Sequence, residues 1–176
     1  MFAAQDVTFG KPHAHSRCHV DPFVTELEVK MVCTLIQDGK ETGVLHSNED
    51  ANLKVKVCLK GPLLHHLCGE ICVRAHVECI GGGLETSFPS EPPTHKIEGD
   101  DGRKCCDPGS LDDEGFCCYE FDVPIPAGTF KATDPDCGEV CCFAVTATTL
   151  DRCGNPGHIA CWCKGPCVLI HTAPED

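Results

Sequence analysis

A chain of 176 residues with a net charge of −13 fits one domain, or at most two small ones, under a solvated acidic surface. Its 14 basic residues are scattered, which argues against nucleic acid as a partner, and no apolar run approaches the ~18 residues of a membrane span. Seventeen cysteines inflate the apolar share of 41%; Leu, Ile, Val and Phe alone supply about 23%, close to the ~20% below which chains tend to stay disordered, so cysteine is expected to fill core volume, form cross-links or hold metal.

Residues 1–22 read as an N-terminal arm. The opening MFAAQDVTFGKPHAHSRCH has no basic start followed by an apolar stretch, so a classical secretory signal is not expected. His13, His15, Cys18 and His19 crowd between Pro12 and Pro22. Imidazole and thiolate suit Zn²⁺ or a copper ion, although a polar terminus that takes metal adventitiously is the plainer reading. An arm of this kind would also carry Cys18 to a neighbouring subunit.

Residues 23–176 are expected to form a single domain. Residues 24–37 alternate, with Leu27, Val29, Met31, Cys33 and Leu35 on one side and charged or hydroxyl residues on the other, as a strand with one buried face requires. Residues 38–52 read as polar turn chemistry. Residues 53–60 and 70–80 alternate again; Cys58 and Cys72 fall on their polar sides, and Cys79 on an apolar side. If these consecutive strands pair with Val57 opposite Val73, Cys58 faces Cys72, and a close antiparallel pair brings the two within disulfide reach.

Residues 81–116 read as an irregular excursion, broken by glycines and prolines and acidic toward its end, with Cys105 and Cys106 available to pin it. Residues 117–125 alternate with Tyr119, Phe121, Val123 and Ile125 inward and Cys118 outward. The segment from Cys137 to Cys167 then reads as a β-hairpin: two β-branched runs flank the turn Asp151-Arg-Cys-Gly-Asn-Pro-Gly157. These runs and turns, with no helical periodicity, predict an all-β, antiparallel β-sandwich of immunoglobulin-like architecture, cysteine-rich, with about seven strands and long loops.

Cysteine chemistry dominates the functional reading. Disulfide candidates are Cys58, Cys72, Cys68, Cys79, Cys105, Cys106, Cys117, Cys118, Cys137, Cys141, Cys142, Cys153, Cys161, Cys163 and Cys167; an odd total leaves at least one over, and Cys18 and Cys118 are the candidates for bridges between chains. Adjacent cysteines in a strand point to opposite faces, so Cys117-Cys118 and Cys141-Cys142 are expected to tie inward to the second sheet and outward to a loop or neighbour. No C-x-x-C occurs; Cys161 and Cys163, two apart on one strand face, remain a place for Zn²⁺ or copper, and no other cofactor is implied.

No G-x-S-x-G, phosphate-binding or H-E-x-x-H motif is present, so an enzyme is not expected. The leading expectation is a disulfide-stabilised structural protein that partners with copies of itself in an extracellular or cell-surface fibre, coat or sheath, exported without a classical signal; a cytoplasmic location is the alternative. A soft-metal binding protein and a secreted binding or toxin-like module are the other readings.

Overall fold

The structure is a computed structural model and describes residues 14–17, 27–61, 64, 68–80, 85–89, 91–98, 110–111, 113–130, 138–150 and 156–171. Among these, twelve strands form: β1 (Ala14–Arg17), β2 (Glu28–Gln37), β3 (Lys40–Glu41), β4 (Val44–His46), β5 (Ala51–Lys60), β6 (Cys68–Cys79), β7 (Glu85–Phe88), β8 (Thr94–Glu98), β9 (Ser110–Leu111), β10 (Cys117–Ile125), β11 (Glu139–Leu150) and β12 (Pro156–His171). No helix among the described residues is long and apolar enough to cross a membrane.

The expected β-sandwich is what forms. One six-stranded sheet runs β1-β2-β5-β10-β9 with β3 on β2; the other runs β4-β12-β11-β6-β7 with β8 on β6. All pairings are antiparallel except β4, which lies parallel to β12. The alternating runs each give a long strand. Their apolar sides meet in one contiguous core: Val29, Met31, Cys33 and Leu35 of β2, Leu53 to Leu59 of β5 at alternate positions, and Tyr119, Phe121, Val123 and Ile125 of β10 face Ile71, Val73, Ala75 and Val77 of β6 and Phe143, Val145 and Ala147 of β11. Phe88 and Phe130 meet the Phe143 ring edge-to-face at 6.1 and 6.2 Å, an arrangement that favours the ring quadrupoles.

The short strands depart from the expected count of about seven. Within the expected arm, β1 lies antiparallel on β2 with His15 opposite Val32. The segment read as turn chemistry, 38–52, contains β3 and β4, and the expected excursion 81–116 supplies β7 and β8 to β6 and β9 to β10. Segments of two to five residues are too short to show an alternation of their own; a long neighbour's open backbone recruits them. The β2–β3 turn was legible: Asp38 and Gly39 both have positive φ, 52° and 70°, as the tight primed turn of a hairpin demands.

Gln37 ties the two sheets at one end. It closes β2 in one sheet, yet its buried amide spans β4 in the other: the His46 N–H donates to Oε1 at 2.9 Å and Nε2 donates to the His46 carbonyl at 3.0 Å. A buried amide in this position replaces a missing strand neighbour for β4. Replacing Gln37 by Ala leaves both His46 groups without this partner and is expected to lower the unfolding free energy by about 1–3 kcal/mol. An unchanged urea midpoint in circular dichroism contradicts this role.

Candidate functional site, a sulfur framework on both sheets

The three described bridges all join neighbouring strands of one sheet. Cys79 ends β6 and lies opposite Cys141 of β11; both side chains face the core, and they are disulfide-bonded. Cys142, one residue on, points to the outer face and bonds Cys167 of β12, its directly opposed partner. The vicinal pair therefore bonds in two directions, as strand geometry requires. The expectation that its inward member reaches the other sheet is corrected, because the β6–β11 register sets Cys79 directly beside it.

A β-bulge makes the second bridge feasible. Cys142 pairs with Cys167 but Ala144 pairs with Lys164, so β12 carries one extra residue between them, at Gly165-Pro166. Without that residue, Cys163 and Cys167, four apart, would share the inner face. With it, Cys163 stays inside and Cys167 turns outward to meet Cys142. Gly165 is required there: a Cβ would sit 2.9 Å from the Phe143 Cβ and 3.2 Å from its carbonyl oxygen.

The third bridge overturns the Cys58–Cys72 pairing. Cys58 bonds Cys118, because β5 lies between β2 and β10 while the chain crosses to the other sheet before β6. Cys118 is thus spent inside the chain and is withdrawn as a cross-link between chains. The bridge sits on the outer face, yet Cys58 and Cys118 are 6% and 2% exposed because Phe116 folds over them. Lys30 and Lys60 hold that ring from above, with Nζ 3.9 and 5.2 Å from its centroid. Glu114 collects both lysines, through its carboxylate to Lys30 and its carbonyl, which accepts from Lys60 Nζ at 2.8 Å. Cys117, facing inward, is also disulfide-bonded.

Sulfur also lines the space between the sheets. Cys161 and Cys163 of β12 share one face, as their spacing predicted; it is the inner face, where both are buried thiols. They do not converge on each other. Cys163 Sγ lies 3.3 Å from Cys33 Sγ of β2, and Cys161 Sγ lies 3.4 Å from Met31 Sδ, two residues earlier on the same strand. Among the described residues, a grouping with metal-ligand spacing occurs elsewhere: the sulfurs of Cys79 and Cys141 and a carboxylate oxygen of Glu139 lie within 4.8 Å of one another. The two sulfurs there are joined, and only their reduction would release two thiolates beside the carboxylate.

Cys105, Cys106, Cys137 and Cys153, and His13, Cys18 and His19 of the arm, lie outside the described residues, as do the side chains of His15 and Cys68.

The outer face of the β6–β11–β12 sheet carries polar chemistry that the sequence did not reveal. Thr146 donates its hydroxyl to the Arg74 carbonyl at 3.3 Å, so it accepts from His76 Nε2 at 3.2 Å; that leaves Nδ1 to accept from the Ser87 hydroxyl at 2.7 Å. The chain of bonds sets the tautomer of His76 and moors the edge strand β7. An open depression of about 580 Å³ borders it, with His76, Ser87, Glu78, Glu85, Cys142 and Lys164 around it, and Trp162 stands 55% exposed on the same face, opposite Thr146. Cys72, opposite Thr148 and half-buried, is a free thiol. Burial pushes its pKa above the ordinary thiol value and Glu70 adds to this, against the opposing pull of Arg74 and a hydrogen bond with Thr148.

No family model matches the sequence, and no curated protein is similar to it. One solved structure with a resemblance is that of Spo0M, a sporulation control protein from Bacillus subtilis: identity is 10%, the TM-score is 0.29, and the match covers 85% of this chain. The chain spans about half of that protein's length, 51%. A likeness at this level carries no argument about function.

Two outcomes follow from this geometry. Phe116→Ala uncovers the Cys58–Cys118 bridge and removes an apolar contact of about 1.5–3 kcal/mol. Reduction of that bridge by a phosphine, followed by mass mapping, is expected to run several-fold faster than in the parent; equal rates contradict the shielding. For Cys72, the thiolate is the nucleophile, and a raised pKa lowers its fraction near pH 8. Iodoacetamide should therefore label Cys72 more slowly in the folded chain than in urea, with the rate climbing at higher pH in the folded form. Equal pH–rate profiles in the two states contradict the shift.

Proposed function

We propose that this chain is a non-enzymatic structural protein, a disulfide-stapled β-sandwich that assembles with copies of itself into an extracellular fibre, coat or sheath. The observation that carries the reading is the use of its sulfur: bridges join adjacent strands on the inner face, on the outer face and in both sheets. Each such bridge typically adds about 2–4 kcal/mol. That is reinforcement of a scaffold with a thin aliphatic core. Bridges of this kind persist in oxidising surroundings, which agrees with a site outside the cell or at its surface. An odd number of cysteines leaves at least one over, and with Cys118 engaged internally, Cys18 of the arm is the remaining candidate for a bond to a second chain.

A soft-metal binding function is the second reading, favoured by the Cys79–Glu139–Cys141 grouping, which on reduction would offer two thiolates and a carboxylate to Zn²⁺ or a copper ion.

Native material run on non-reducing and reducing gels is expected to show a ladder of high-mass species that collapses to monomer on reduction, and Cys18→Ser should shorten the ladder. Monomer in both lanes sinks the cross-linked assembly. Elemental analysis of the same protein purified under mild reduction decides the second reading: about one Zn or Cu per chain supports it, and a much lower content removes it.

A further inference from the structure

The three bridges whose partners are described staple strands within a sheet. Each lies within one sheet, and none spans the core. Cys33 and Cys163 stand where such a span would go. Cys33 is on the inner face of β2 in one sheet, Cys163 on the inner face of β12 in the other, and their sulfurs are 3.3 Å apart with both residues no more than 1% exposed. We propose that Cys33 and Cys163 form an inter-sheet disulfide when the chain meets a small-molecule disulfide such as oxidised glutathione.

The geometry selects this pair over its neighbours. Cys161 is the other inward thiol of β12, but it faces the thioether of Met31, which cannot form a disulfide. Cys161 and Cys163 are two residues apart on one strand, a separation of about 6.5–7 Å along the chain, and so cannot bridge each other without distorting β12. The bulge at Gly165-Pro166 turns Cys167 to the outer face, where Cys142 already holds it. The sulfur that Cys163 meets across the core is that of Cys33, 130 residues away in sequence.

The chemistry balances by exchange. One thiolate attacks the small disulfide, forming a mixed disulfide and releasing one small thiol. The second thiolate attacks the protein-bound sulfur, forming the Cys33–Cys163 bond and releasing the second small thiol. Two protein thiols are oxidised and one disulfide is reduced, with the two thiol protons passing to water or to the departing thiolates. Because both sulfurs are shut from solvent in the closed sandwich, the exchange runs while the sheets are still docking, and the finished bond is then enclosed.

This bond is internal and independent of the cross-linking reading, and peptide mapping tests it separately. The full chain is refolded with oxidised glutathione, alkylated in urea without reductant and digested. Cleavage after Lys30, Lys40, Trp162 and Lys164 puts Cys33 and Cys163 on peptides that hold no other cysteine. The expected result is a Cys33–Cys163 linked pair in most molecules, lost on reduction and absent from protein refolded with reduced glutathione in excess. Recovery of both cysteines in alkylated form, or of either one joined to a different cysteine, overturns the proposal. A Cys33→Ala variant that folds is expected to give alkylated Cys163 and a lower urea midpoint than the oxidised parent; Cys163 found joined elsewhere in that variant also counts against the pair. The wild-type map stands alone if the variant fails to fold.

Discussion

Strict alternation along six long strands gives each sheet one apolar face, and the burial of those two faces against each other is the interaction that everything else here presupposes. Apolar burial contributes roughly 25 cal/mol per Å², so a sheet whose side chains slipped by one residue would turn its whole stabilising surface to water. Where the parity does change, in β12, a bulge absorbs it and a glycine makes room against Phe143. The same period that builds the core also aims the sulfurs. A cysteine at an even offset from Val, Leu or Phe becomes core, and one at an odd offset turns to the outer face.

The staples then act on what burial leaves weak. The aliphatic complement is small for a chain of this length, and long-range strand pairing is the slow, entropically costly part of a β fold. Bridges between β5 and β10, β6 and β11, and β11 and β12 close loops of 60, 62 and 25 residues, and so restrict the unfolded chain where its pairings are least local. Their placement on both faces lets two cysteines adjacent in sequence serve different neighbours. Phe116, Lys30 and Lys60 extend the same logic outward, giving an outer-face bridge an apolar cover of its own.

Much of the cysteine framework was legible once faces were assigned. Cys141 and Cys142 had to bond in opposite directions. Cys79 and Cys141 each stand on an apolar side near a strand end, a shared position that could have suggested their pairing. Alternation places both Cys58 and Cys118 outward, yet the order of strands along the chain suggests Cys72 as the partner of Cys58. Sequence order does not say which sheet receives the next strand, and here the chain changes sheets between β5 and β6. That Cys163 and Cys167, four apart, point to opposite faces was not legible, because a bulge has no alternation signature of its own. His76 was hidden for a similar reason: its partners Ser87 and Thr146 sit on strands that become neighbours only after two separate pairings with β6.

The amino-acid sequence by itself determined the fold class, the long strands, the inward and outward sides of most cysteines, the buried side of Cys33 and the shared face of Cys161 and Cys163, because side-chain alternation is a local property of extended backbone. Tertiary structure alone decided which strands became neighbours, hence that Cys58 meets Cys118, that Cys163 faces Cys33 across the core, and that two- to five-residue segments count as strands at all. Those outcomes depend on how two sheets share the strands and on where a bulge resets the register, and both are set by packing between residues far apart in the chain.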